Sequence, residues 1–263
     1  MAGGPVREVA GGVEMPVLGL GVWQMAAGSE TERAIEWAFE AGNRHVDTAA
    51  YYRNERSVGA ALARSGLARD EVFVTTKWMP ALRSAASELQ RSLERLGLPF
   101  VDLYLVHWPV PIRAAHGWPE LLELRDRGLA RAVGVSNYGV SRLSKLVGDR
   151  RPAVNQVQFN PFHFRRDLLE HCDRHGIVLE AYSPLERGRV DHPAIAQIAA
   201  RIGRTPAQVM LRWSVQHGAI VIPKSVRRDR IQENARIFDF ELGADDMVAL
   251  DRLDRTGGSG NAR

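Results

Sequence analysis

The chain has 263 residues, of which 45% are hydrophobic and 25% are charged, which is an ordinary globular composition. The net charge is +4, but the basic residues are dispersed and form no known nucleic-acid-binding signature, so we expect no nucleic-acid partner. No stretch reaches the roughly 20 apolar residues of a membrane span, and the N-terminus lacks a signal-peptide core. Cys172 is the single cysteine. We therefore expect a cytoplasmic protein without membrane contact, disulfide or metal centre.

Apolar runs alternate with segments of helical periodicity along the whole chain. Val6–Val9 and Val13–Met15 flank two glycines and predict a short hairpin. Eight strand-like runs follow, at Val17–Val22, His45–Thr48, Val72–Thr76, Val101–Val106, Ala132–Val135, Val154–Phe159, Val178–Ala181 and Ala219–Ile222. Ser29 followed by Glu32 predicts a capping box at the first helix. Further predicted helices are Ser87–Leu96, Leu121–Arg127, Val140–Val147, Arg166–His175, His192–Ile202, Pro206–Gln216 and Ala244–Leu253.

Eight strands, each followed by a helix, predict an α/β fold of the (β/α)8 TIM-barrel type. We expect one domain over residues 1–263, with the N-terminal β-hairpin, a C-terminal helix and a flexible tail over 257–263. A doubly wound open sheet is the alternative. It would carry G-x-G-x-x-G after its first strand, but Gly19-Leu20-Gly21 lacks the third glycine in register.

Polar side chains follow several predicted strands, where the active sites of such barrels lie. Asp47 and Tyr52 follow the second strand, Lys77 the third and His107 the fourth. Each has an ordinary structural interpretation: a turn cap, a packed aromatic, a solvated strand end or a core histidine. Their predicted convergence at one mouth favours a catalytic site instead.

Three long patterns resemble the aldo-keto reductase family, in its short prokaryotic form, and the likeness covers nearly the whole chain. They are residues 42–49 followed by Tyr52, Glu55 and Gly59; residues 131–138; and residues 222–225 followed by Arg230, Glu233, Asn234 and Ile237. The chain departs from the family pattern at Asn43, where an aromatic residue is usual, and at Asn160, where histidine is common. Neither is a catalytic position.

The resemblance implies a catalytic tetrad of Asp47, Tyr52, Lys77 and His107 that reduces aldehydes and ketones with NADPH. Tyr52 would donate a proton to the carbonyl oxygen as hydride reaches the carbon. The Lys77 ammonium would lower the phenol's pKa from about 10, and Asp47 would hold that lysine charged and in place. His107 would orient the carbonyl as a neutral imidazole.

The resemblance also implies a set of NADPH contacts. It assigns Ser136, Asn137 and Gln156 to the nicotinamide carboxamide, Tyr182 to the ring face, Ser183 and Leu185 to the pyrophosphate, Lys224, Ser225 and Arg230 to the 2′-phosphate, and Glu233 and Asn234 to the adenine edge. An arginine with a lysine suits a dianionic phosphate, which favours NADPH over NADH.

The substrate, a small carbonyl compound, should meet aromatic side chains at or beside strand ends. The candidates are Trp23, Tyr51, Trp78 and Trp108. We expect the loop Val110–Trp118 to cover part of the mouth, the short chain end after the last helix to leave the pocket open, and the protein to be a monomer. Two alternatives remain: a nucleotide-binding regulatory subunit on the same fold, and a barrel aldolase using Lys77 as a Schiff base.

Overall fold

The N-terminal segment forms the predicted hairpin. The computed structural model describes residues 4–80, 83–110, 113–146 and 148–257. Strands β1 (Val6–Val9) and β2 (Val13–Pro16) pair antiparallel. Gly11 and Gly12 turn the chain with φ of 89° and 72°, a conformation that glycine adopts without steric cost.

Eight parallel strands follow, each hydrogen-bonded to the next in chain order. They are β3 (Leu20–Gly21), β4 (His45–Asp47), β5 (Phe73–Trp78), β6 (Val101–Val106), β7 (Ala130–Ser136), β8 (Val154–Gln158), β9 (Val178–Tyr182) and β10 (Ile220–Val221). The sheet closes on itself: the Gly19 N–H donates to Val221 O at 2.9 Å, and the Val221 N–H donates to Val17 O at 2.9 Å. The predicted eight-stranded barrel is confirmed.

The helices lie between the strands in the expected alternation. They are α1 (Ser29–Glu40), α2 (Glu55–Arg64), α3 (Ala85–Leu96), α4 (Arg113–Asp126), α5 (Val140–Leu143), α6 (Arg166–Arg174), α7 (Pro193–Ile202), α8 (Pro206–Gln216), α9 (Arg228–Asn234) and α10 (Ala244–Asp251). Neighbours pack side by side, as α1 does with both α2 and α9. No helix in the described part of the chain is both long and apolar enough to cross a bilayer.

Three local predictions are wrong. The helix predicted over Val140–Val147 ends at Leu143. Ser29 is the first residue of α1 rather than its cap; Gly28 precedes it with φ of 92° and no side chain caps the helix. The Glu30 carboxylate instead accepts the Ala26 N–H at 2.8 Å. The last concerns the start of α4, which was predicted at Leu121: the helix begins at Arg113 and runs through Pro119. Most of the loop predicted to cover the mouth is therefore helical, and residues 111–112 lie outside the described part of the chain.

A second apolar cluster lies at the amino-terminal end of the barrel. At the amino-terminal ends of the strands, the hairpin side chains of Val9, Val13 and Met15 join Phe73 and Ile220 in one buried apolar cluster. Charged groups are present at this end as well: the buried Asp102, the second residue of β6, pairs with Arg69 and Arg131. The residues of the predicted tetrad lie at the opposite, carboxyl-terminal ends of their strands. The predicted tail lies outside the described residues from 258 onward.

Candidate active site

The four residues of the predicted tetrad come together at the carboxyl ends of three adjacent strands. Asp47 ends β4, Lys77 is the penultimate residue of β5, and His107 directly follows β6. Tyr52 lies in a short 3-10 turn after β4. The Lys77 ammonium donates to Asp47 Oδ1 at 2.6 Å and to the Tyr52 hydroxyl at 3.2 Å. The Tyr52 and His107 rings meet edge to face at 5.5 Å.

Lys77 is held as a cation although it is fully buried. Its third contact is the carbonyl oxygen of Thr48 at 2.8 Å, so all three ammonium hydrogens have an acceptor. Burial alone would lower the pKa of Lys77, but the charges of Asp47 and Tyr52 outweigh burial and raise it. Burial raises the pKa of Asp47, and the Lys77 ammonium opposes that shift. Each partner of this buried ion pair compensates the charge of the other, so removal of one partner would leave an uncompensated buried charge.

Tyr52 does not have the lowered pKa that the sequence led us to expect. Burial raises the pKa of Tyr52, and the opposing effect of Lys77 is smaller. Tyr52 is consequently a protonated phenol at neutral pH, which is the form that a proton donor requires. Because Lys77 donates to its oxygen, the hydroxyl hydrogen is left to point elsewhere.

His107 is a neutral imidazole, as expected. Burial, with a smaller effect from Lys77, lowers the pKa of His107 to about 3. Its Nδ1 is buried and has no hydrogen-bond partner among the described residues. Its main chain is fixed at both ends: the N–H donates to Trp78 O at 2.8 Å, and the carbonyl accepts from Asn137 Nδ2 at 3.2 Å.

A further set of polar side chains lies in the barrel beside Asp47. Gln156 donates its amide nitrogen to Asp47 Oδ2 at 2.7 Å and to Glu180 Oε2 at 2.8 Å. His45 Nε2 lies 3.1 Å from Thr75 Oγ1 and 3.7 Å from Glu180 Oε1. Gln156 was predicted to contact the cofactor, whereas no role was predicted for His45 or Glu180. The available signal was an acid at position 180, within an otherwise apolar strand.

The ends of β7, β8 and β9 form a connected polar shelf next to His107. Ser136 Oγ donates to the Gln156 carbonyl at 2.9 Å and accepts from Asn137 Nδ2 at 2.9 Å. The Tyr182 hydroxyl donates to Asn137 Oδ1 at 2.9 Å. Asn137 adopts φ of 66°, so the backbone turns sharply at this point and presents polar groups of three strands side by side.

The loop after β9 is held in an unusual backbone conformation. Ser183, Glu186 and Arg187 have φ of 46°, 45° and 55°, a region costly for residues other than glycine. The Glu186 carboxylate accepts from Asn160 Nδ2 at 3.0 Å, and Asn160 Nδ2 also donates to Ser183 O at 2.9 Å. Gln158 Nε2 gives Glu186 a further hydrogen bond at 3.0 Å. Asn160, which stands where histidine is common in the family, thus connects this loop to the end of β8.

The predicted phosphate pocket lies after β10 and on α9. Lys224 and Arg230 are exposed, and neither has an ion-pair partner in the described ranges. Their neighbours differ: Arg227 pairs with Asp229 and Arg228 with Glu40.

Two other residues predicted to contact the cofactor already have side-chain hydrogen bonds, and two more are buried or half-buried. Ser225 is buried and its Oγ accepts the Arg227 N–H at 3.1 Å. Glu233 Oε1 accepts from Thr205 Oγ1 at 2.7 Å. Asn234 is buried. Leu185, on the β9 loop, packs half-buried against the core.

An aromatic rim surrounds the mouth. Trp23, Tyr51 and Trp108 are 41%, 64% and 47% exposed, and the Tyr51 ring meets His107 edge to face at 6.1 Å. Trp78 is different. It is only 4% exposed, its indole N–H donates to Arg83 O at 3.1 Å, and it packs so closely on Gly117 of α4 that an added Cβ would lie 2.2 Å from the ring. The structure brings three of the four predicted aromatic residues to the surface and buries the fourth.

Known proteins resemble this chain over nearly its full length. The sequence matches the profile described as "Aldo/keto reductase family" over residues 17–255. A glyoxal reductase of Bacillus subtilis is 44% identical over 250 residues, covering 93% of this chain and 91% of the relative. A methylglyoxal reductase of Yersinia pestis is 42% identical over 258 residues, covering 95% and 93%. The crystal structure of a Bombyx mori aldo-keto reductase in complex with NADP superposes with a TM-score of 0.90 at 34% identity, covering 96% and 93%.

Proposed function

Because the chain belongs to the aldo/keto reductase family, we propose that it reduces aldehydes and ketones to alcohols with NADPH, with Tyr52 as the proton donor. Family membership confirms the expected oxidoreductase class and the expected NADP(H) cofactor. The observation that carries the proposal is the contact group of Lys77, which lies 2.6 Å from Asp47 and 3.2 Å from the Tyr52 hydroxyl.

The residues of the tetrad act on the carbonyl oxygen. Bound NADPH supplies the hydride for the carbonyl carbon. The Tyr52 hydroxyl donates its proton to the oxygen, and the Lys77 ammonium stabilises the phenolate that remains. Asp47 keeps Lys77 charged and in place. The neutral imidazole of His107 donates a hydrogen bond that orients the carbonyl. Reversal of these steps oxidises the alcohol.

The polar shelf and the exposed cations suit a dinucleotide phosphate. Ser136, Asn137 and Gln156 would hold the nicotinamide carboxamide, and the Tyr182 ring would cover its face. The β9 loop with Ser183 and Leu185 would line the pyrophosphate. Lys224 and Arg230, which lack acidic partners among the described residues, are free to bind the 2′-phosphate near Ser225. Glu233 and Asn234 are proposed to lie toward the adenine edge.

Small reactive carbonyl compounds are the substrates that we propose. The relatives in Bacillus subtilis and Yersinia pestis are named glyoxal and methylglyoxal reductases. The side chains of Trp23, Tyr51 and Trp108 are exposed, and flat aromatic surfaces contact small planar dicarbonyls without demanding a particular side group. We further propose that the protein acts as a cytoplasmic monomer of one domain, without a nucleic-acid partner.

The charge state of Lys77 opposes the aldolase alternative. A Schiff-base lysine needs a lowered pKa, so that the neutral amine can attack. The pKa of Lys77 is instead raised, and Asp47 lies in direct contact with its ammonium. The regulatory-subunit alternative is tested by turnover itself.

The proposal is tested by NADPH oxidation with glyoxal, methylglyoxal and simple aldehydes, each repeated with NADH. We expect turnover with NADPH, and Tyr52→Phe should reduce kcat by a factor of at least about 100 through loss of the proton donor. The Kd for NADPH, measured by fluorescence, should stay within about twofold. Tyr51→Phe is the matched control because its ring is exposed beside the same histidine; it should retain kcat. Absence of turnover across the panel, or full activity in Tyr52→Phe, contradicts the proposal.

A further inference from the structure

Glu180 is a buried acid that the proposed reaction does not use. It lies on β9 with none of its side chain exposed. Its Oε2 accepts from Gln156 at 2.8 Å, and its Oε1, which has no hydrogen-bond partner among the described residues, lies 3.7 Å from His45 Nε2. Keeping an isolated carboxylate in such a place is costly unless a cation compensates it.

The charged groups around Glu180 leave it without a cation of its own. β4 contributes Asp47 and the neutral His45, whose pKa burial and then Lys77 lower to about 3. β5 contributes Lys77, and β8 contributes the uncharged Gln156. Lys77 is in contact with Asp47 at 2.6 Å. The carboxyl groups of Asp47 and Glu180 therefore share one ammonium, that of Lys77. Glu180 is not in direct contact with it, so Glu180 is the carboxyl that stays protonated.

The remaining surroundings of Glu180 agree with this assignment. On β10 the residue in register with it is Ile220, which is fully buried and apolar. Tyr52, the other titratable group near this interior, is a neutral phenol. Burial, followed by the charge of Asp47, raises the pKa of Glu180 to about 8.

The amide of Gln156 links Glu180 to the catalytic group. Its nitrogen carries two hydrogens; one goes to Asp47 Oδ2 at 2.7 Å and the other to Glu180 Oε2 at 2.8 Å. The amide group of Gln156 could in principle be flipped, with its nitrogen and oxygen exchanged. Because both neighbouring groups are acceptors, the nitrogen must face them. We propose that Glu180 is a positioning residue: as a neutral carboxylic acid it fixes the amide of Gln156, and through it the Asp47 carboxylate that holds Lys77 beside Tyr52. This inference rests on the proposed carbonyl reduction.

Ionisation of Glu180 has a defined consequence. Above pH 8 a second negative charge appears beside Asp47, competes for Lys77 and opposes the charge that develops on the substrate oxygen. The rate should therefore fall as pH rises through about 8. Three neighbouring groups do not titrate there: the pKa values of Tyr52 and Lys77 are raised above their ordinary, already alkaline values, and that of His107 is about 3. Burial also raises the pKa of Asp47, but the Lys77 ammonium in contact with it opposes that shift.

The test measures kcat against pH for the wild type, Glu180→Gln and Glu180→Ala. We expect the wild-type kcat to fall by about tenfold between pH 7 and pH 9. Glu180→Gln, which mimics the neutral acid, should match the wild type at pH 7 and lack the fall. Glu180→Ala should be slower by about tenfold at pH 7, because Gln156 loses one acceptor. An unchanged alkaline fall in Glu180→Gln would overturn the proposal, and this variant is informative even if Glu180→Ala fails to fold.

Two controls separate positioning from general stability. Glu55→Gln removes another buried carboxylate, one bonded to Thr76 and Arg95 away from Gln156; it should keep the alkaline fall. In a Gln156→Leu background, Glu180→Ala should cause no further loss of kcat, because Glu180 acts through Gln156. If the losses of kcat from Glu180→Ala and Gln156→Leu are fully additive, Glu180 does not act through Gln156.

An infrared measurement tests Glu180 without turnover. A difference spectrum between about pH 6 and pH 10 should show a protonated-carboxyl C=O band that disappears on the alkaline side and is missing in Glu180→Gln. A wild-type protein with this band but no NADPH oxidation would contradict carbonyl reduction while leaving Glu180 as assigned. A protein that reduces carbonyls but lacks the band overturns the assignment of Glu180.

Discussion

The two charged regions of this protein are built in opposite ways. Around Lys77 the charges are buried and bonded to one another, at 2.6 Å to Asp47 and 3.2 Å to Tyr52. At the proposed phosphate pocket, Lys224 and Arg230 are exposed and lack ion-pair partners in the described ranges. The buried group is already arranged for chemistry, so its removal should affect both folding and rate. Replacement of the exposed cations should affect only the binding of the ligand whose negative charge they compensate.

Replacement of Lys77 should produce the largest effect. Lys77→Met leaves the Asp47 carboxylate buried without its cation, which should cost about 3–5 kcal/mol of unfolding free energy. The kcat should fall by roughly three orders of magnitude or more, because the phenolate loses its stabilising charge. Urea unfolding and steady-state kinetics measure the two effects. Asp47→Asn with Lys77→Met should recover part of the stability without activity; a stable, active Lys77→Met would show that the buried pair is dispensable.

Replacement of Arg230 should weaken cofactor binding alone. Arg230→Ala should raise the Kd for NADPH by roughly tenfold or more, because a charge-assisted contact to the phosphate is lost. The Kd for NADH, the kcat at saturating NADPH and the unfolding free energy should change little. Arg228→Ala is the matched control, since that arginine pairs with Glu40. Equal losses for NADPH and NADH would place Arg230 away from the 2′-phosphate.

Replacement of Glu186 should have the smallest effect of the three. Glu186→Ala removes the acceptor that Asn160 and Gln158 share, so the β9 loop loses part of its support. We expect the Kd for NADPH to rise about threefold, with kcat nearly unchanged. The exposed Asp191→Ala, farther along the same connection, should leave the Kd unaltered. A large loss of kcat instead would mean that the loop contributes to the chemical step.

The barrel was predictable because its strands are buried on both faces and read as short apolar runs between helices. The local ends of elements were less predictable. α8 (Pro206–Gln216) matches the prediction at both ends, and at its N-terminus Thr205 and Gln208 form a reciprocal cap. The capping box predicted at Ser29 is wrong because Gly28, with φ of 92°, occupies the cap position. The Glu30 carboxylate, in the first turn of the helix, instead accepts the N–H of Ala26 before the helix.

The proposed tetrad could be named from sequence because each member follows a strand, and parallel strands end on the same side. The contacts within the interior could not. Glu180 and His45 are 135 residues apart by number yet lie side by side, since closure of the barrel brings β9 toward β4. His45 lies within the pattern of residues 42–49, but that pattern assigns it no role, and Glu180 belongs to none of the three patterns.

The sequence by itself determined the alternation of elements, the family, and the chemical types of the residues at the strand ends. Only the tertiary structure decided which of those residues are charged. The net rise in the pKa of Tyr52, against the lowering expected from Lys77, comes from burial. The burial of one atom depends on the packing of many residues that are distant in sequence. It therefore cannot be predicted from a local pattern of amino acids.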